Sequence, residues 1–176
     1  MAFLVAGLVL VGAIGLLNLL LITAVIRRLR RQEEERAESM RSGPVVGEEL
    51  PAFSAVALSG RAVSREALAG RPAVFTFMST GCPACPAAIP HLVEHAGTAG
   101  LSPEQTIVVI TGEESEAAEL IEPLRDIATI VVQPFPGELS AAFSIVGTPT
   151  TVIAGADGRV AHAEAGAHAL PSLASA

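Results

Sequence analysis

The sequence predicts an α/β domain, a central mixed sheet flanked by helices, preceded by a single apolar helix long enough to cross a membrane. Three observations predict it. Uncharged, mostly apolar sequence runs from Ala2 to Ile26 and stops at the basic cluster Arg27, Arg28, Arg30 and Arg31. Beyond it, apolar runs of strand length alternate with helical patterns, as in sheets whose strands are linked by helices. The only two cysteines of the 176-residue chain, Cys82 and Cys85, lie where one such strand turns into a helix.

The first segment is read as an uncleaved anchor. Residues 2–26 at about 1.5 Å rise each exceed the roughly 30 Å apolar core of a bilayer. A signal peptide carries its positive charge before the apolar run and a small-residue cleavage site after it; here the arginines follow, and no Ala-x-Ala site is close. These arginines favour a cytoplasmic position for what comes after residue 31, and Glu33, Glu34 and Glu35 count weakly against that. Residues 32–44 read as a polar linker that Gly43 and Pro44 close.

From residue 45 onward the chain has 5 Arg, 14 Asp plus Glu and no Lys. An acidic domain without basic stripes argues against nucleic-acid binding. Six Phe with no Trp or Tyr leave little for base stacking. Neither a phosphate-cradling glycine motif nor an internal repeat is present.

In chain order, 53–58 reads as a short strand, Ser59-Gly60 as a turn, and Ser64 as the N-cap of a helical turn at 65–68. The unbroken apolar run 73–78 is a strand buried on both faces. Ser79, Thr80 and Gly81 form the turn into a helix that starts at Cys82 and should be kinked by Pro90. A second buried strand follows at 106–111. Residues 113–126 read as a helix with carboxylates crowding its first turns, as the helix dipole prefers. A strand at 127–132 comes next, then a break at Pro134 and Pro136 and a short helix at 138–144. Residues 150–154 and 159–163, joined at Asp157-Gly158, read as a hairpin. Residues 170–176, interrupted by Pro171, leave only a stub of a last helix.

Two cysteines three apart at a helix start suit reversible dithiol–disulfide chemistry, because unpaired N–H groups and the helix dipole stabilise the reactive thiolate. A zinc half-site with His91 and His95 is the first alternative, but a rigid helix points those histidines away from its own N-terminus. A purely structural bridge is the second; so short a loop removes little unfolded-state entropy. Cys82, nearer the turn, is the candidate nucleophile, and Cys85, one helical turn inward, resolves the mixed disulfide. His91 reads as solvent-facing.

A βαβ half followed by a ββ hairpin is the thioredoxin arrangement. Over residues 45–166 the sequence resembles the membrane-anchored thioredoxin-like proteins of the TlpA/ResA type and their relatives in methylamine-utilisation clusters. The resemblance rests on Gly47-Glu48-Glu49-Leu50-Pro51-Ala52-Phe53, Gly70-Arg71-Pro72, Gly81-Cys82-Pro83-Ala84-Cys85, Val146-Gly147-Thr148-Pro149-Thr150 and Asp157-Gly158-Arg159-Val160, in that order. It implies a thioredoxin-like domain over 45–170 with a tail at 171–176, and a redox-active Cys82–Cys85 disulfide. It also implies a substrate-binding loop at Thr148 and Pro149, with a cis bond holding the Thr148 backbone opposite Cys82. No cofactor and no metal are implied. The partners are a cysteine-containing protein substrate and a thiol electron donor, with the membrane reached through residues 2–26. The resemblance favours the outer face of the cell membrane for the domain, against the arginines.

The chain departs from the pattern in three places. Gly81 stands where the family has Trp, Thr76 where thioredoxins carry a buried Asp, and Ala88 where TlpA-like reductases carry Glu. Both usual proton acceptors near Cys85 are therefore missing. The expected activity is thiol–disulfide exchange by a single-pass membrane protein. A non-catalytic partner-binding module is the alternative. A peroxiredoxin-like peroxidase is a third: Ser79 echoes a Ser/Thr-x-x-Cys motif, but Phe75 replaces that family's proline.

Overall fold

The structure, a computed structural model, describes residues 43–171 and, ahead of them, only Gly7, Gly12, Gly15, Leu19 and Thr23, each helical. The expected anchor at 2–26, most of the linker and residues 172–176 therefore lie largely outside the described residues. Among the described residues no helix is long and apolar enough to cross a membrane.

The domain is built on a five-stranded sheet and a small two-stranded one. The short pair is β1 (Ser54–Val56) and β2 (Ala62–Ser64), antiparallel, with Ala55 opposite Val63. The large sheet holds β3 (Ala73–Ser79), β4 (Thr106–Thr111), β5 (Thr129–Gln133), β6 (Thr150–Ala154) and β7 (Val160–Ala165) in the order β5-β4-β3-β6-β7. Strands β3, β4 and β5 are parallel, whereas β6 and β7 run antiparallel to their neighbours. This is the thioredoxin-like mixed sheet.

Strand β3 is central, and its unbroken apolar sequence follows from burial on both faces. Phe75 and Phe77 point to one side, where they meet Phe53 and Phe143; Phe143 lies 4.9 Å from Phe75 and 5.1 Å from Phe77 by ring centroids. Val74 and Met78 point to the other, beneath helix α1 (Cys85–Ala99). That helix buries Cys85, Ala88, Ile89, Leu92 and Ala96, a stripe at three- and four-residue spacing. It ends at Gly100, whose left-handed φ of 63° lets Leu101 N–H reach the Ala96 carbonyl at 2.9 Å.

Several boundaries differ from those the sequence suggests. Helix α1 begins at Cys85 instead of Cys82 and runs through Pro90, which sits on its exposed side. The helix expected at 113–126 is broken into a 3-10 turn (Glu114–Glu116), the short α2 (Ala118–Ile121) and a second 3-10 turn (Glu122–Leu124). Pro123 has no N–H to give, and its ring crowds the carbonyl four residues earlier, so α-helix cannot pass through it intact. Strand β2 is an element that the turn reading around Ser64 missed. The Ser64 hydroxyl still accepts the Ala67 N–H at 3.3 Å, as a capping side chain does. Helix α3 (Glu138–Ala142) stops short of the expected 144, because Ser144 adopts a φ of 54°. After β7, residues 166–171 form no helix, yet Ala167 and Leu170 pack against the core beneath α1.

Candidate active site

The three parallel strands end together, and the cysteines lie just beyond. Ser79, Thr111 and Gln133 are in register across β3, β4 and β5. From Ser79 the chain turns at Thr80 and Gly81, with Cys82 N–H on the Ser79 carbonyl at 3.2 Å and Cys85 N–H on the Cys82 carbonyl at 3.2 Å. Cys82 and Cys85 are joined as a disulfide with Cα atoms 5.4 Å apart. Pro86 in the first turn of α1 lacks an N–H that would in any case find no partner there. No acidic residue occupies that first turn, so nothing on α1 opposes the dipole's preference for a thiolate.

The two sulfurs are unequal. Cys85 is fully buried in the core under α1, while Cys82 is half-buried and open to the surface. Cys82 Sγ lies 3.3 Å from the Thr148 carbonyl oxygen. Bonded to Cys85 the sulfur has no proton; as a thiol it is placed to donate to that oxygen. The Thr148–Pro149 bond is cis, as the resemblance implied. Its loop is fastened on two sides: the Thr148 and Ser79 hydroxyls are 3.1 Å apart, and Gly166 N–H donates to the Pro149 carbonyl at 2.8 Å. All four residues singled out in the sequence, Cys82, Cys85, Thr148 and Pro149, thus converge at one end of the sheet.

At the position where thioredoxins carry Asp, Thr76 is fully buried with its hydroxyl 3.3 Å from that of Thr151, its partner on β6. The pair is neutral and shares the sheet face covered by α1. His91 is half-buried, less exposed than its sequence setting suggested. His95 is buried, and its Nε2 has no hydrogen-bond partner. Burial first, then the nearby His162, hold its pKa below the ordinary histidine value, partly offset by a hydrogen bond with the Pro171 backbone. Among the described residues no three His, Cys, Asp or Glu side chains gather as a metal site would require.

Sequence reasoning missed several residues around the disulfide. Thr80 donates to the Glu116 carboxylate at 3.3 Å, placing that acid beside the turn. Gly112 backs this turn with a φ of 145°, and a Cβ there would collide with the Thr80 side chain. A cavity of about 370 Å³ opens next to Thr148, between Phe135 and Val146, with Ser79, Thr111 and Ser140 on its floor. Phe135 is 88% exposed and Val146 69%. The Pro134 and Pro136 that flank Phe135 were its only sequence signal: they keep this stretch out of regular structure.

A thioredoxin-like sheet with a paired, unequally exposed CxxC at its strand ends defines a thioredoxin-like thiol–disulfide oxidoreductase. The chain belongs to the Redoxin family, whose model matches residues 45–176. No curated protein matches it. Among solved structures it is similar to the thioredoxin domain of a thiol-disulfide oxidoreductase from Bacteroides vulgatus, at 21% identity and a TM-score of 0.59, covering 70% of this chain and 90% of that one. It is also similar to a thiol:disulfide interchange protein of the thioredoxin family from Chlorobium tepidum, at 24% identity and a TM-score of 0.57, covering 72% and 90%. A secreted Mycobacterium tuberculosis disulfide oxidoreductase gives 24% identity and a TM-score of 0.53 over 61% of this chain and 79% of that one. At these identities the likeness establishes the fold.

Proposed function

We propose that the chain is a membrane-anchored thiol–disulfide oxidoreductase of the TlpA/ResA type, which reduces or exchanges disulfides in cysteine-containing partner proteins through Cys82 and Cys85. The observation that carries this reading is the asymmetry of the pair: Cys82 open beside the Thr148 carbonyl, Cys85 sealed beneath α1. In the reduced protein, the Cys82 thiolate attacks one sulfur of a substrate disulfide and releases the other as a thiol. Cys85 then loses its proton and attacks Cys82 Sγ, expelling the second substrate thiol and forming the Cys82–Cys85 disulfide. Two electrons pass to the substrate, and a thiol donor returns them. Thr148 and Pro149 present the backbone against which an extended substrate segment lies.

Residues 2–26 serve as the anchor in this proposal, with 1–31 as span and basic flank, 32–44 as tether, 45–170 as the redox domain and 171–176 as tail. Arg27 to Arg31 favour a cytoplasmic domain. The TlpA/ResA resemblance favours the outer face, and the secreted mycobacterial neighbour supports the same side. Reporter fusions at the C-terminus decide between them.

Insulin-disulfide reduction by the full-length chain, with dithiothreitol as donor, tests the activity. Turnover that Cys82→Ser abolishes supports the proposal; a wild-type chain with no turnover sinks it. The neutral Thr76–Thr151 pair, where an acid is usual, favours a second reading in which the fold presents its groove to a partner without catalysis. That reading requires partner binding that is indifferent to both cysteines.

A further inference from the structure

We infer that the cavity beside Thr148 is the specificity pocket for the substrate polypeptide, and that it takes an aromatic side chain, tyrosine best, one or two residues from the substrate cysteine. The inference deepens the oxidoreductase reading and rests on it for the identity of the occupant.

Phe135 and Val146 both line the cavity and face solvent, and a Phe that is 88% exposed has no part in the core. Thr148 belongs both to the cavity wall and, through its carbonyl, to the surroundings of Cys82 Sγ at 3.3 Å. The cavity thus shares Thr148 with the place where a substrate sulfur must sit. Extended chain advances about 3.3 Å per residue, so a side chain one or two positions from the substrate cysteine reaches the opening.

The floor is polar and already ordered. Gln133 Nε2 donates to Ser140 Oγ at 2.8 Å and to Thr111 Oγ1 at 3.3 Å, while its Oε1 accepts the Leu139 N–H at 3.0 Å. Serine and threonine hydroxyls each accept up to two hydrogen bonds, so this floor can take a phenolic O–H while the rim packs on the ring. A volume of about 370 Å³ suits one aromatic side chain with room to enter.

Charge completes the description of the partner. None of the lining residues is charged. Exposed Glu138 directly follows the lining residue Gly137, and the Glu116 carboxylate accepts from Thr80, next to the lining residue Ser79. A segment with lysine or arginine beyond the aromatic residue fits this border, and an acidic one is repelled.

Binding of cysteine-free peptides to the oxidised full-length chain tests the pocket without requiring turnover. The probes are fluorescent decapeptides with serine in place of cysteine, followed by tyrosine or by glycine, and flanked by lysine or by glutamate. The tyrosine–lysine peptide should bind at least tenfold more tightly than the glycine–lysine one. Phe135→Ser and Val146→Ser should each shrink that ratio; both residues are exposed, so the core survives their loss. Equal affinity for the two peptides overturns the inference, as does a tyrosine preference that persists in both variants. A Phe135→Ser change that converts a dimer to a monomer without altering peptide binding assigns the pocket to a second copy of this chain, and also overturns it. Reduction of a small disulfide, bis(2-hydroxyethyl) disulfide, by the wild-type chain reports separately on the oxidoreductase reading.

Discussion

The two ends of the central sheet are built on opposite principles. At the end where β3 starts and β6 finishes, charged side chains are spent on fastening the chain to itself. Arg65 donates to the Leu50 carbonyl at 3.1 Å and Arg159 to the Gly47 carbonyl at 2.8 Å, and Arg71 reaches the Ala67 carbonyl. Arg61 pairs with Glu104 and holds that carboxyl down at about 2. At the other end, where the disulfide lies, no arginine takes part among the described residues, hydroxyls bind one another, and Phe135 and Val146 are left facing solvent. The first end ties its arginines back onto its own chain, while the second leaves Phe135 and Val146 exposed beside a reactive bond. Function is read from what a surface leaves unspent.

The sharpest break between the ends is chemical. Cys82→Ser should abolish insulin reduction, and Cys85→Ser should accumulate a mixed disulfide between Cys82 and substrate, visible on a non-reducing gel. If iodoacetamide labels Cys85 before Cys82 in the reduced chain, the roles are reversed. Arg65→Ala, at the opposite end, should leave turnover unchanged and lower stability by about 1 kcal/mol, since its bond to a carbonyl is partly exposed.

Between the ends lies the aromatic cluster, where the next largest effect is expected. Phe143 is fully buried and in ring contact with Phe53, Phe75 and Phe77. Phe143→Ala should cost about 3–5 kcal/mol, read from the urea midpoint of the domain. A loss well below 1 kcal/mol would mean that the cluster contributes little to the fold.

The sequence carried the redox end better than the rest, and the reason is physical. A cysteine pair is chemistry written in single residues, so Cys82 and Cys85 could be named before any geometry, and the family resemblance supplied Thr148 and Pro149. The strands were legible because parallel strands buried on both faces must be apolar throughout. The stretch at 113–126 misled because acidic residues favour helix starts locally, whereas Pro123 vetoes continuation; weighing the missing N–H above the charge pattern would have found the break. Phe135 and His95 were beyond reach, since exposure and burial at those positions depend on which loops and strands pack around them.

The hydroxyl pair under α1 sharpens the comparison from within the core. Thr76→Val should cost about 1–3 kcal/mol, because it leaves the Thr151 hydroxyl buried without its partner. The double change Thr76→Val with Thr151→Val should recover most of that loss. If the double variant is instead as unstable as the sum of the singles, the hydroxyls act independently. A slowed release of the Cys82 mixed disulfide in the double variant, with stability restored, would mark the pair as part of the proton path from Cys85.

The smallest effect concerns pH and belongs to the end away from the disulfide. His95 lies well along α1 from Cys85, facing His162 on β7, whose Nε2 is 3.2 Å from the Glu164 carboxylate, and the Pro171 backbone. Burial depresses its folded-state pKa below 6.5, so on acidification the unfolded chain takes up a proton first. The neutral form therefore contributes stability that is fully present above about 6.5 and is lost as pH falls from there toward the folded-state pKa. Urea midpoints should decline between pH 7 and 5, and His95→Leu should flatten that decline by removing the group that must charge. An unchanged slope in the variant would mean that burial of the His95 ring beside His162 is not the source of the decline. Because neither residue touches Cys82, Cys85 or Thr148, the reduction rate of a small disulfide measured at one pH should be the same in wild type and His95→Leu. Acid sensitivity and redox chemistry would then map to opposite ends of the sheet.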